Sequence, residues 1–353
     1  MITRKQLTSV AVTAFVTKML VTFPTSIFRL CGNAAWLVGI YVTLVAVGIF
    51  AIIRRIYTVN ANIITIAEKT GGVFLRVVTG VIVFIVLGLN AIGLMRTFPE
   101  IIRLVLLQKT YVEIIGTAFA ITLFLCASCG IEGIVRVIEI FIPIGGIVFL
   151  GFLLMIIPQV HIDYLFPIMG NGAKALFLDG LSALGIFTDI LMLNILIPRT
   201  NELRCYKEGI IIGGICAILI FLAYGMCYVY PATGEFVIPI YQMERLINLS
   251  DFFSRLESLF RFVWSIMILL YSALYIAVLS EVWAQTFNLP HSKPLIAPII
   301  LTLVGIAIIP QSLGDMVVLE TIINKWVYIP ALILPITVVG MYKLFHVKHR
   351  VMK

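Results

Sequence analysis

Long apolar runs, separated by short polar segments, make up most of this 353-residue chain. Most runs are about 18 residues or longer, enough for an α-helix to cross roughly 30 Å of hydrocarbon. Because backbone groups inside a bilayer must hydrogen-bond to one another, spanning segments are helices or closed barrels. A barrel would show short segments of alternating polarity. The pattern therefore predicts an all-α membrane protein.

The apolar runs predict about ten transmembrane helices. Their predicted bounds are residues 6–28, 34–56, 73–98, 112–128, 134–157, 173–197, 208–230, 253–287, 294–309 and 317–345. The runs form two groups of five, and since five is odd, the second group enters the bilayer upside down. This is the topology of a 5+5 inverted repeat within one integral membrane domain, residues 1–353, with repeats at about 6–157 and 173–345.

Composition agrees with this class, since 61% of the residues are hydrophobic and 12% are charged, against about 45–50% and 25% in soluble domains. The formal charge of +8 is interpreted as topology and not as nucleic-acid binding. A cytoplasmic N-terminus places most Lys and Arg residues on the inner face, so both termini are expected in the cytoplasm. The six cysteines show no disulfide spacing and are expected to be reduced packing residues.

Lys18 lies near the middle of the first span, between Thr17 and Met19. Pro24 removes an amide donor and frees carbonyls one turn earlier, so an interrupted helix is expected here. A cation at this depth must meet a carbonyl, a carboxylate or water. Lys18 is therefore either a structural partner for another charge or part of a binding site.

Span six carries Gly185, Thr188 and Asp189 near its middle. Interrupted helices at corresponding places in two repeats point to a transporter-type binding site. Gly185 could instead permit close helix packing, and Asp189 could be a structural partner. We favour a functional role for Asp189, because an isolated carboxylate inside a span is usually functional.

The segment NLSDFFSRLESLFRFVW places three charges at the start of span eight: Arg255, Glu257 and Arg261. Glu257 and Arg261 are four residues apart and share a helical face. They are expected to pair with each other or with the preceding loop, and so to gate or brace an external mouth. The alternative is anchoring at the lipid headgroups, which fits Arg255 better than Arg261. The same face continues through Ser265 and Tyr271.

No enzyme chemistry is indicated, and no metal or other cofactor is expected. The four histidines fall in predicted loops or the C-terminal tail, away from any nucleophile arrangement. The one Cys-x-x-Cys, Cys126 with Cys129, has no second ligand pair for zinc.

Several segments together carry a family resemblance. They are ITRKQL with Pro24 downstream, Trp36, GIEGIVRVIEIFIPI, DYLFPIMGNGAKAL and PIYQMERLINLSDFFSRLESLFRFVW. In these segments the chain resembles the B subunits of GerA-class spore germinant receptors (the GerAB family), within the amino acid-polyamine-organocation transporter superfamily. The resemblance covers nearly the whole chain.

The resemblance implies ten helices of the leucine-transporter type, with helices one and six broken around a pocket for an amino-acid-like germinant. It also implies two partners, a receptor A subunit and a lipoprotein C subunit, in the inner membrane of the spore. Relatives commonly have glycine where this chain has Thr17 and an apolar residue where it has Lys18. The expected ligand-binding residues are Thr17, Lys18, Met19, Gly185, Thr188, Asp189, Ser265 and Tyr271.

Three functions stay open at this point. The first is a germinant receptor subunit in which a small ligand binds between helices one, three, six and eight and triggers germination. The second is a proton-coupled amino-acid transporter in which Lys18 or Asp189 exchanges protons. The third is a structural subunit or ion channel of the receptor complex with no ligand pocket.

Overall fold

The computed structural model describes residues 2–56, 61–200, 204–247, 251–310 and 312–351, of which 55–56, 204–205, 251–258 and 345–351 are described by backbone alone. Within these ranges the chain is helical and has no β-strand. The α-helices are α1 Arg4–Met19, α2 Phe23–Cys31, α3 Ala35–Ile56, α4 Ile63–Val105, α5 Val112–Ser128, α6 Ile131–Ile156, α7 Ala173–Phe177, α8 Ile190–Ile195, α9 Arg204–Cys227, α10 Ala232–Glu235, α11 Pro239–Arg245, α12 Asp251–Thr286, α13 Ile296–Ala307 and α14 Leu313–Val351.

In the described part of the chain, seven helical segments are long and apolar enough to cross a membrane. They are Phe23–Arg54, Ile63–Val105, Ile131–Gln159, Ala173–Ile195, Tyr206–Cys227, Leu259–Thr286 and Leu313–Leu344. Two further apolar helices, Val112–Ser128 and Lys293–Ala307, lie at or below the lower length limit for a span. The protein is thus a multi-pass α-helical membrane protein, and the count of ten with its inverted repeat stays a prediction.

The first predicted span is interrupted. α1 ends at Met19 and α2 begins at Phe23. Pro24 lies in the first turn of α2, where its missing amide costs no helical hydrogen bond and its fixed φ favours a helix start. The expected interruption between Lys18 and Pro24 is therefore present, and it places Lys18 in the last turn of α1.

The sixth predicted span is irregular over a longer stretch than expected. Between α7 and α8 the backbone follows a 3₁₀ helix over Asp179–Asp189, 11 residues in length. Runs of this geometry beyond 3–4 residues are uncommon, and inside a longer helix they often mark a functional hinge. The segment includes Gly185, Thr188 and Asp189.

α1 packs closely against α9 through two glycines of the sequence GIIIG. A Cβ added at Gly209 would lie 2.3 Å from Ala11 Cβ, and one added at Gly213 would lie 2.6 Å from Phe15 Cβ. Small residues four apart allow two membrane helices to approach this closely. Phe15 also contacts Phe187, with ring centroids 5.1 Å apart, so α1 is packed against the 3₁₀ segment as well.

We predict that Gly213→Ala destabilises the protein by about 1–3 kcal/mol, because its methyl group would overlap Phe15. Gly305→Ala in α13 is the matched control, since nothing lies within 4 Å of the added Cβ. The control should stabilise the protein by about 0.5–1 kcal/mol through helix propensity. Thermal unfolding of the purified protein measures both, and equal shifts would contradict the close packing of α1 on α9.

Candidate functional site

The Lys18 ammonium joins the two interrupted helices. It forms an ion pair with Asp189 Oδ1 at 2.9 Å and donates to Gly185 O at 3.2 Å and Thr188 Oγ1 at 2.6 Å. The 3₁₀ geometry aligns residues three apart, so Gly185 and Thr188 present their oxygens on one side. Three acceptors match the three N–H groups of the ammonium. The buried cation is thereby satisfied.

Asp189 is fully buried and accepts hydrogen bonds from two tyrosines of α12 as well. Tyr271 Oη donates to Oδ2, and Tyr275 Oη donates to Oδ1. The tyrosines are four residues apart, so both hydroxyls lie on the same helical face. Lys18 and two hydroxyls thus offset the cost of burying this carboxylate. The cluster connects α1, the 3₁₀ segment and α12.

The structure brings together five of the eight predicted ligand-binding residues: Lys18, Gly185, Thr188, Asp189 and Tyr271. The other three lie apart from this cluster. Thr17 borders a different, larger cavity. Met19 is packed in the core, and Ser265 donates to Arg261 O within its own helix.

A cavity of about 60 Å³ adjoins Lys18 and Tyr271. It lies between the interruption after α1 and helices α4, α12 and α14, so its fourth wall is the last helix and not span six as expected. Its polar lining consists of Lys18, Thr22, Asn90, Tyr271, Glu320 and Asn324. We name it the central cavity.

Glu320 of α14 is the main site residue that the sequence interpretation missed. Its carboxylate accepts hydrogen bonds from Thr22 Oγ1 and, at 3.4 Å, from Thr97 Oγ1. It is an isolated carboxylate in an apolar run, so the criterion that selected Asp189 would also have selected it. Asn324 lies beside it near the interrupted sixth span, 3.1 Å from where a Cβ at Gly185 would be.

The larger cavity, about 850 Å³, lies between α1, α6, α9 and α12. Thr17 borders it near the end of α1, and Arg4, Lys5 and Glu208 border it near the start of that helix. Arg4 and Glu208 form an ion pair there. Its walls are mainly apolar.

At the start of span eight, Arg261 Nε lies 2.8 Å from Glu244 Oε1 of α11. Arg261 thus contacts the connection that precedes α12, which is one of the two pairings expected for it. The side chains of Arg255 and Glu257 lie outside the described residues, so their pairing and gating roles stay predictions. Near the other end of α12, Glu281 pairs with Arg199 at 2.8 Å.

Two interrupted helices joined by a buried ion pair beside a cavity are the arrangement expected of a transporter-like membrane protein. Comparison with known proteins agrees: the spore germination protein (spore permease) family matches residues 1–316. The chain belongs to this family, and its role is related to germination and transporter-like.

A relative from Bacillus subtilis (strain 168) is YfkT, a spore germination protein by its provisional name. It is 24% identical over 186 residues, which is 52% of this chain and 52% of YfkT. The matched region thus spans about half the length of this curated relative.

We predict that Asp189→Asn lowers the free energy of unfolding by about 3–5 kcal/mol, because it leaves the Lys18 charge buried without a counter-ion. Combining it with Lys18→Met should recover most of that loss, since both charges are then gone. Arg4→Met is the control: its exposed ion pair with Glu208 should contribute less than about 1 kcal/mol. Unfolding in detergent tests this, and additive losses in the double variant would contradict the coupling.

A second prediction concerns the loop before α12. Burial raises the pKa of the Glu244 carboxyl from 4.5 to about 7, against the opposing effect of Arg261. Between these two values the folded protein binds more protons at Glu244 than the unfolded chain does. Stability should therefore fall as the pH rises from about 4.5 to 7.

Glu244→Gln should remove this part of the pH dependence, whereas Glu235→Gln, at an exposed position in the same connection, should leave it in place. Melting temperatures across the pH range provide the measurement. An unchanged profile in Glu244→Gln would show that another group is responsible.

Proposed function

We propose that this chain is a subunit of a spore nutrient-germinant receptor that binds a small, amino-acid-like germinant in the central cavity and thereby triggers germination. One observation carries the proposal: the cavity adjoins the Lys18–Asp189 pair that joins both interrupted helices. A ligand in this place contacts the point where α1, the 3₁₀ segment and α12 meet. Membership of the spore germination protein family supports the same role.

The mechanism would be a population shift. A ligand favours one helix arrangement only through its higher affinity for that arrangement. Changing a 1:99 equilibrium to 99:1 needs about 5.5 kcal/mol of differential binding. The ammonium of Lys18 and the start of α2 both attract a ligand carboxylate. Release or strengthening of the Lys18 contacts would then alter how α1 is attached to the 3₁₀ segment.

Asp189 is a poor acceptor for the ligand in this arrangement. Lys18, Tyr271 and Tyr275 already bind its two oxygens. Asp189 could receive the ammonium of a ligand only after Lys18 has left it. Otherwise the ligand needs a different carboxylate.

The proposal includes the partners and location that the family resemblance implies. These are a receptor A subunit, a lipoprotein C subunit and the inner membrane of the spore, with both termini of this chain cytoplasmic. Partner subunits would convert the helix rearrangement into the germination signal.

The second candidate is a proton-coupled amino-acid transporter. It is favoured by the buried Lys18–Asp189 pair, because ionisable groups inside the membrane commonly form proton pathways. Uptake of labelled amino acids into proteoliposomes, with and without a pH gradient, separates the two functions. Concentrative uptake that requires the gradient would favour transport over reception.

We predict that Leu94→Trp reduces the nutrient sensitivity of spores at least 10-fold. Leu94 borders the central cavity, and the indole would fill it. A 10-fold change corresponds to about 1.4 kcal/mol of binding free energy. Leu150→Trp, at an exposed site on α6, is the matched control. Germination is followed as a function of nutrient concentration in spores that depend on this chain, with protein levels checked. A wild-type response from Leu94→Trp spores to every nutrient would overturn the central-cavity site.

A further inference from the structure

Within the described residues, Glu320 differs from the buried carboxylates of Asp189, Glu100 and Glu244 in forming no ion pair. Asp189 pairs with Lys18 at 2.9 Å, Glu100 with Arg96 and Arg103 at 3.0 Å each, and Glu244 with Arg261 at 2.8 Å. Among the residues that the structure describes, only the hydroxyls of Thr22 and Thr97 reach Glu320. A carboxylate inside a membrane protein ordinarily requires a counter-charge.

Lys18 does not supply that charge in this structure. It is close enough to attract Glu320 electrostatically, but its ion pair is with Asp189 and its other contacts are with Gly185 and Thr188. Lys18 and Asp189 cancel one another. An ionised Glu320 therefore leaves one unbalanced negative charge at the central cavity.

The position of Glu320 directs this charge into the cavity. The carboxylate lies over Gly93 of α4, where an added Cβ would be 3.2 Å from Oε1. The backbone of α4 thus provides room for the carboxylate. Asn90 and Asn324 contribute further polar groups to the lining.

The size and walls of the cavity restrict what can balance the charge. A buried water needs about 10–15 Å³ of cavity volume. The central cavity, at about 60 Å³, therefore has room for roughly four to six water-sized groups. Glycine and alanine have this number of non-hydrogen atoms. Val21, Phe23, Leu89, Leu94 and Ile323 form the apolar walls, which suit an alkyl group better than a hydrated inorganic cation.

We propose that Glu320 is the ammonium-binding residue of the central cavity, and that the ligand is a small molecule with a primary ammonium group on a short alkyl chain. The inference rests on the proposed function in assigning this ligand as the germinant. Thr22 and Thr97 hold the carboxylate in place, and the ligand ammonium takes the position that a Lys or Arg occupies at the other buried carboxylates. A ligand with a carboxylate but no ammonium is excluded by repulsion from Glu320.

The test uses the full-length protein in lipid nanodiscs and three pairs of probes. Glycine and L-alanine carry both charges, methylamine and ethylamine only the ammonium, and acetate and propionate only the carboxylate. A ligand that binds only the folded state raises the melting temperature in a concentration-dependent way. We expect the amino acids and the amines to stabilise the wild type, and acetate and propionate to have no effect.

Glu320→Gln should weaken binding of the amino acids and the amines about 10- to 100-fold, the usual effect of losing one charged hydrogen-bond partner. Glu139→Gln, a carboxylate of α6 that borders the larger cavity, is the matched control and should bind like the wild type. Should Glu320→Gln fail to fold, Gly93→Ala serves instead, since it keeps every charge and displaces the Glu320 carboxylate. Gly93→Ala should weaken binding of the same amino acids and amines.

The outcomes separate this inference from the proposed function. Amino-acid binding that is equal in wild type, Glu320→Gln and Gly93→Ala would overturn the role of Glu320 and leave the receptor proposal in place. Binding of amines alone, lost in Glu320→Gln, would support Glu320 and overturn an amino-acid germinant. Binding of acetate or propionate, or of no probe by the wild type, would overturn the ammonium assignment.

Discussion

The need to satisfy one buried ammonium organises the centre of this protein. Lys18 requires acceptors for its three N–H groups in a mainly apolar interior, and it finds them on the irregular sixth span. A regular α-helix would use its carbonyls internally, whereas the 3₁₀ segment directs Gly185 O and the Thr188 hydroxyl to one point. The carboxylate that balances Lys18 needs donors of its own, which explains two tyrosines one turn apart on α12. Charge, backbone geometry and helix packing are thus parts of one arrangement.

The sequence revealed the charges of this arrangement but not its geometry. Lys18 and Asp189 stand out because each is isolated in an apolar run, and Pro24 and Gly185 indicate interrupted helices. That the two charges meet, and that the sixth span is 3₁₀ over 11 residues, depends on contacts more than 160 positions apart. Glu320 could have been identified by the rule applied to Asp189. The role of the glycines in GIIIG required knowledge of which helix packs against them.

Residues that are close in the sequence and were expected to form one site have different surroundings in the structure. Thr17, Lys18 and Met19 were grouped because they precede one interruption, yet a helix directs successive side chains about 100° apart. Thr17 consequently faces the larger cavity, Lys18 the central one, and Met19 the packed core. Ser265 likewise shares a helical stripe with Tyr271 but lies more than one turn from it. Residues from one helical stretch of sequence therefore belong to different sites, according to the helix face on which each lies.

The separation of Thr17 from Lys18 has a mechanical consequence. α1 is a wall common to both cavities, since adjacent residues of this one helix border them on different sides. Its last turn ends at the interruption, while Gly209 and Gly213 hold the rest of the helix against α9. A tilt of α1 about that contact would therefore reshape both cavities at once. The position of α1 thus links what the larger compartment contains to the shape of the smaller one.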